Sequence, residues 1–211
     1  MAESQYAGRG QQQNKWHSEP GKNLTFSLFL KPAFLPAVRQ FDLTRAISLG
    51  VSNALEPLLG EKLKIKWPND IYYADKKLGG MLIENTLQGG QIKSSVIGIG
   101  LNINQAVFPT EAANAVSLKQ ILQTDYDLKY ILSEICKNIE AFYLSLRSGR
   151  YEAVRKDYTE RLYRLNEEKN YRSDGREFKG TITGVTNDGL LEVNVGAGVK
   201  RYNLKEIEFL N

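Results

Sequence analysis

Pro68 fixes where a strand must stop in residues 63–84, and the pair Gly79-Gly80 leaves the strand behind it bare of side chains. Leu63-Lys64-Ile65 reads as a short strand feeding Lys66. Proline brings no N–H to a ladder and restricts the residue before it, so that strand must stop at Pro68. Asn69 and Asp70 then fall in a turn, and Ile71-Tyr72-Tyr73 starts a second strand. A tight Ala74-Asp75-Lys76 turn leads into Lys77-Leu78-Gly79-Gly80-Met81-Leu82-Ile83-Glu84. Adjacent glycines in a strand mark a close approach of a ligand or another backbone. The hairpin therefore sets Lys66, Lys77, Asn69 and Asp70 beside a bare floor, which makes it the first candidate site.

A second bare floor follows. Ser95 to Asn104 is apolar on both faces, as a central strand would be, with Gly98 and Gly100 on one side of it. Glycines two apart expose backbone on a single face, as a flat ligand needs. Asn102 falls on the same side, where its amide can read a ring edge. Near the start, Gly8-Arg9-Gly10 lets backbone approach an anion while the guanidinium donates to it. Taken alone, that tripeptide inside a Gln-rich stretch also fits a plain polar tail.

The remaining elements follow from periodicity. Leu24, Phe26, Leu28 and Leu30 alternate as the buried face of a strand. Leu43, Ile47, Val51, Leu55 and Leu58 predict a helix over 41–59, stopped by Gly60. Residues 105–116 read as a covering loop. Ser117 caps a short helix over 118–123, and Asp127 caps a long one carrying Ile131, Ile135 and Ile139 on one face. Residues 151–164 predict another helix. Beyond residue 165 come short strands separated by Ser173-Asp174-Gly175, Asn187-Asp188-Gly189 and Gly196-Ala197-Gly198, the pattern of a small barrel resembling an SH3 fold.

Composition removes several classes of function. One cysteine, Cys136, and one histidine, His17, exclude an internal disulfide and any multi-Cys or multi-His metal cage. No run approaches a membrane helix and no signal peptide opens the chain, so a cytoplasmic protein without membrane partners is expected. The net charge of +4 comes from 28 basic and 24 acidic residues mixed along the chain. That distribution offers no arm for DNA but favours anionic ligands such as nucleotides.

Four motifs stand in one order: Gly-Arg-Gly with Trp16 behind it, Lys-Trp-Pro-Asn-Asp (66–70), Lys-Leu-Gly-Gly-Met-Leu-Ile-Glu (77–84) and Gly-Ile-Gly-Leu-Asn-Ile-Asn (98–104). Together they resemble the biotin–protein ligases over nearly the whole chain. The resemblance implies an α/β fold, with an α+β mixed sheet packed by helices. That fold is class II synthetase/lipoate-ligase-like over residues 1–165, with an SH3-like barrel over 166–211. It implies that ATP activates biotin to biotinoyl-5′-AMP and that the acyl group passes to a lysine of a biotin carrier domain. Mg²⁺ would come with ATP, and Asp70 is the one candidate to touch it. Arg9, Lys66 and Lys77 would neutralise the meeting anions. Gln5, Gly8, Arg9, Gly10, Gln11 and Trp16 would close over the adenylate. Asn69 and Asp70 would orient the nucleotide, Gly80, Gly98 and Gly100 would floor the biotin pocket, and Asn102 would face adenine. A homodimer paired through a sheet edge is compatible with the resemblance. Its rivals are a lipoate–protein ligase and a relative that binds biotin or carrier without catalysis.

Two departures from the family pattern carry expectations. The family has an upstream segment with a Ser-Thr-Asn turn for the biotin ring, so an incomplete pocket and no N-terminal DNA-binding domain are expected here. Gln11-Gln12-Gln13 also stands where the family usually carries arginines. Less positive charge in the loop predicts that biotinoyl-AMP dissociates faster than from arginine-rich relatives. Stopped-flow release of the adenylate measures this, and an off-rate no faster than theirs would contradict it.

Overall fold

The computed structural model describes residues 1–5, 8–10 and 15–210, with Arg9 and Lys15 described by backbone only. A short antiparallel pair, β1 (Gly8–Arg9) and β2 (Lys15–Trp16), precedes β3 (Leu24–Leu30). Helix α1 (Gln40–Leu59) follows, ended by Gly60 at φ 63° as its position predicts. Then come β4 (Leu63–Lys66), β5 (Asp70–Tyr73), β6 (Lys76–Gln88) and β7 (Gln91–Leu101). These strands form one sheet in the order β3-β7-β6-β5-β4.

Every ladder in that sheet is antiparallel, which corrects the expectation of a mixed sheet. The reason lies in the connections. Strands β4 to β7 are joined by tight turns, and such turns link only antiparallel neighbours. The last turn, Gly89-Gly90, has φ of 59° and 77°, positions that a two-residue hairpin fills with glycine.

Two long helices cover one face of the sheet. Alternate residues Phe26, Ile99 and Met81 are buried on the helix-facing side, where Ser48 of α1 touches Met81. Behind α1 lies α3 (Leu128–Arg147), which follows the short α2 (Leu118–Leu122). Ser117 caps α2 as expected, here in a capping box with Gln120, and the Asp127 carboxylate accepts from the Lys129 and Tyr130 amides. The crossing of α1 and α3 is close because Gly50 has no side chain. A Cβ there would stand 2.6 Å from Ile139 Cα.

Helix α4 (Tyr151–Glu160) ends short of the expected 164. Residues 161–163 turn away and meet β4 through a single parallel bridge between Leu162 and Ile65, with Ile65 N donating to Arg161 O at 2.8 Å and Tyr163 N to Ile65 O at 2.9 Å. A strap thus closes the free edge of β4, outweighing helix propensity. The same strap starts the second sheet, where Asn166 N donates to Ile182 O.

That sheet contains β8 (Glu168–Ser173), β9 (Arg176–Val185), β10 (Leu191–Asn194), β11 (Val199–Tyr202) and β12 (Glu208–Phe209), ordered β11-β10-β9-β8-β12 and antiparallel throughout. Its ladder is open. β12 is two residues long and pairs only with β8, so the edges β11 and β12 do not join into the closed barrel expected. Buried charge fastens this sheet to α1. Asp42 accepts from Arg45 and Arg155, and Arg45 also donates to the carbonyls of Thr186 at 2.5 Å and Asn187 at 3.3 Å. Removing one partner of such a buried cluster costs about 3–5 kcal/mol. No helix among the described residues is long and apolar enough to cross a membrane.

Gly50→Ala should destabilise the fold by about 1–3 kcal/mol, because the overlap with backbone of α3 exceeds the propensity gain of at most ~1 kcal/mol. Urea unfolding measures it, and a stabilised variant would contradict the close crossing.

Candidate functional site

The face of the main sheet turned away from α1 is built in rows. Cα pairing aligns Lys66, Asp70, Gly80, Gly100 and Thr25 across five strands. Two residues along, Leu82, Gly98 and Ser27 form the next row, and then Glu84, Val96 and Phe29. Side chains alternate along a strand, so these rows share one face. Over them lies a cleft of about 560 Å³, bounded by Gln5, Gly10 and Trp16 above and by Asp70 and Lys77 at one end.

Each glycine in the rows has its own surroundings. Over Gly80, Lys77 Nζ donates to Asp70 Oδ2 at 2.6 Å. A Cβ at position 80 would stand 2.6 Å from Asp70 Oδ1 and 3.2 Å from Lys77 Nζ, so a side chain there would push the ends of the pair aside. Gly100 carries the Trp16 indole, whose Cε2 would lie 2.6 Å from an added Cβ. Gly79 points to the helix side, against Leu101. Gly98 differs. A Cβ there would meet only Leu82, at 3.8 Å or more.

Lys77 is also held by its backbone. β7 ends at Leu101, and the end of the 105–116 loop takes its place beside β6. Lys77 N donates to Asn114 O at 2.8 Å, and Val116 N donates to Lys77 O at 2.9 Å. At its other end the loop is tied by Gln105, whose Oε1 accepts from Asn23 and whose carbonyl accepts from Ser117.

The structure brings Lys77, Asp70, Gly80, Gly98, Gly100, Gln5, Gly10 and Trp16 to one cleft. Gly8 supports it from behind, since a Cβ would collide with Trp16 O. Besides Gly8, three expected residues stand outside the lining. Asn102 lies past the end of β7, 2% exposed, with Nδ2 donating to Val116 O at 3.2 Å. Asn69 is 4% exposed and donates to Met81 O at 2.6 Å. Lys66 shares the row but turns its ammonium toward the second sheet. There it donates to the Tyr72 hydroxyl at 3.2 Å and lies 4.8 Å from the Tyr72 and Phe209 rings. Burial lowers its pKa, with Asp70 opposing that shift. The Arg9 side chain and Gln11 lie outside the described residues.

Sequence reasoning missed Thr25, Ser27 and Glu84, which line the same cleft. The signal was present: Thr25 and Ser27 are the polar members of an alternating strand, and Glu84 is in phase with Gly80. Among the described residues the oxygens Asn69 Oδ1 and Asn102 Oδ1, and the Trp16 indole N–H, are buried with no hydrogen-bond partner.

Residues 1–102 match the model of the biotin/lipoate A/B protein ligase family. The chain carries a domain of that family. A bifunctional ligase/repressor BirA of Bacillus subtilis is 29% identical over 211 residues, covering 99% of this chain and 65% of the relative. The chain therefore spans less than two thirds of that relative's length. A biotin–[acetyl-CoA-carboxylase] ligase of Paracoccus denitrificans is 26% identical, covering 99% of this chain and 89% of the relative. Among solved structures, the biotin protein ligase of Aquifex aeolicus in complex with biotin and ATP superposes with a TM-score of 0.83 at 27% identity, covering 100% of this chain and 87% of that one. The family match spans Gly80, Gly98 and Gly100 as well as Lys77 and Asp70.

Gly80→Ala displaces only the flexible ends of Lys77 and Asp70, so it should cost less than about 1 kcal/mol of stability while parting the pair. In ¹⁵N-labelled protein the Lys77 Nζ resonance should then match that of Asp70→Asn. An Nζ resonance unchanged from wild type would mean the pair tolerates a Cβ at position 80.

Proposed function

We propose that this chain is a biotin–protein ligase, which activates biotin with ATP and transfers it to a lysine of a biotin carrier domain, as in biotin-dependent carboxylases. The observation that carries this reading is Gly98. Nothing within the described protein needs a glycine there, since the space above it is open to ordinary contact distance. A flat fused ring lying on the sheet does need one. Its acid tail would reach the Lys77 ammonium, which lies over Gly80 in the neighbouring row.

The chemistry follows from charge. In the first step a biotin carboxylate oxygen attacks the α-phosphorus of ATP, a P–O bond to the β-phosphate breaks, and pyrophosphate leaves. Two anions must meet, and Lys77 offsets their repulsion where they do. Asp70 holds that ammonium over Gly80 until the substrate carboxylate competes for it. In the second step the neutral amine of the acceptor lysine attacks the acyl carbon, the C–O bond to AMP breaks, and the amine loses a proton. Asn69, next to Asp70 in the chain, would serve the nucleotide through its unpartnered oxygen, whereas Asn102, buried past the end of β7, is not assigned to it.

The residues fit a Mg²⁺ that arrives with ATP. The described residues contain no group of three or more carboxylate, His or Cys ligands, and Asp70 is the one carboxylate beside Lys77. A cation held mainly by phosphates and water asks no more of the protein, and it would neutralise phosphate charge. In this reading residues 1–165 hold the ligands, and 166–211 form a small SH3-like module.

Pyrophosphate exchange into ATP tests the proposal. Exchange should depend on biotin, and Lys77→Ala should lower it roughly 100-fold. Exchange driven by lipoate instead would make the chain a lipoate–protein ligase. Biotin binding with no exchange would reduce it to a binding protein.

A further inference from the structure

The second sheet touches the Lys66–Asp70 hairpin at two points, one on each face of the main sheet. Lys66 ends β4 and Trp67 opens the turn, and their side chains meet different parts of the second sheet. On the helix side, the Trp67 indole N–H donates to Gly189 O at 2.9 Å. Gly189 is held there tightly: its φ is 103°, and a Cβ would stand 2.5 Å from the Phe41 ring. The turn carrying Gly189 is itself clamped by Arg45, through Thr186 and Asn187. On the cleft side, Phe209 of β12 places its ring 4.8 Å from Lys66 Nζ, and Tyr163 stacks beside it. Between these contacts Tyr158 donates its hydroxyl to Pro68 O at 2.7 Å.

We infer that the second sheet is a positioning element, gripping the 66–68 turn from both faces so that Trp67 and Phe209 set the placement of Lys66, Asn69 and Asp70 without touching substrate. The inference rests on the ligase reading for its consequence and on the contacts above for its cause. Gly98 and Gly100 lie on β7, two strands from the grip, and Gly80 on β6. Loosening the turn therefore disturbs the groups assigned to ATP directly and leaves the glycine floor assigned to biotin in place, reaching Lys77 only through its ion pair with Asp70. Trp67 Nε1 and the Phe209 ring act at a distance from that chemistry, and misplacement of reacting groups by an ångström costs catalysis heavily.

The test uses the full chain with three substitutions. Trp67→Phe removes the indole donor and keeps a ring. Phe209→Leu removes the ring over Lys66, and Phe209→Tyr restores one. Kinetic constants for ATP and biotin in pyrophosphate exchange are read beside hydrogen–deuterium exchange of the 66–71 amides. Expected are a roughly tenfold fall in kcat/KM for ATP in Trp67→Phe and Phe209→Leu, a biotin KM within about twofold of wild type, recovery in Phe209→Tyr, and faster amide exchange confined to 66–71. Equal losses for both substrates with faster exchange everywhere would make the contacts merely structural and overturn the inference. So would unchanged amide exchange in both variants. If the wild-type chain lacks biotin-dependent exchange, the ligase reading fails. Amide protection still decides the grip by itself.

Discussion

The ion pair between Lys77 and Asp70 lies in the space left where position 80 carries no Cβ, and the site is arranged around that gap. Asp70 opens β5 and Lys77 lies near the start of β6, so the pair bridges two strands over the one residue that leaves room for it. With side chains 35% and 28% exposed, the pair adds little to stability. Its consequence is orientation. A flexible lysine is held at the end of a cleft whose floor continues through Gly100 and Gly98, and its backbone is fixed by the 114–116 segment where β7 departs.

That precision is borrowed from the rest of the molecule. Helix α1 supports the sheet from below and is pressed close to α3 at Gly50. The Asp42, Arg45 and Arg155 cluster binds the far sheet to α1, and Trp67 and Tyr158 carry the restraint to the turn before Asp70. The buried tyrosines are stabilised as neutral donors. Burial raises the pKa of Tyr158, and pushes that of Tyr163 up to about 12. Both therefore keep their hydrogen through the neutral range, and the bonds from Tyr158 to Pro68 and from Tyr163 to Asp75 persist there.

Much of this was legible in the chain. Pro68, the turn glycines and the caps Ser117 and Asp127 act locally, so their effects fall where the residues stand. The glycines of β6 and β7 could be read as a floor because side-chain alternation along a strand is fixed. The direction of the Lys66 ammonium was not legible, because Phe209 reaches it from 143 positions away in sequence. Nor was the burial of Asn102, since the strand ends one residue earlier and the phase that put it beside Gly100 no longer applies. Helix α4 was overestimated for a similar reason: residues 161–163 gain more by covering the β4 edge than by another helical turn. Closure of the second sheet depends on one two-residue strand, below what periodicity can resolve.

The central claim is that Gly98 is bare for a ligand and not for the fold. Calorimetric titration of biotin into wild type and Gly98→Ala, with unfolding midpoints measured on the same samples, tests it most directly. The account predicts equal midpoints and biotin affinity weakened by roughly tenfold or more, since a methyl group would lift the ring off the sheet. Equal affinity in the two proteins would contradict it and move the biotin site elsewhere.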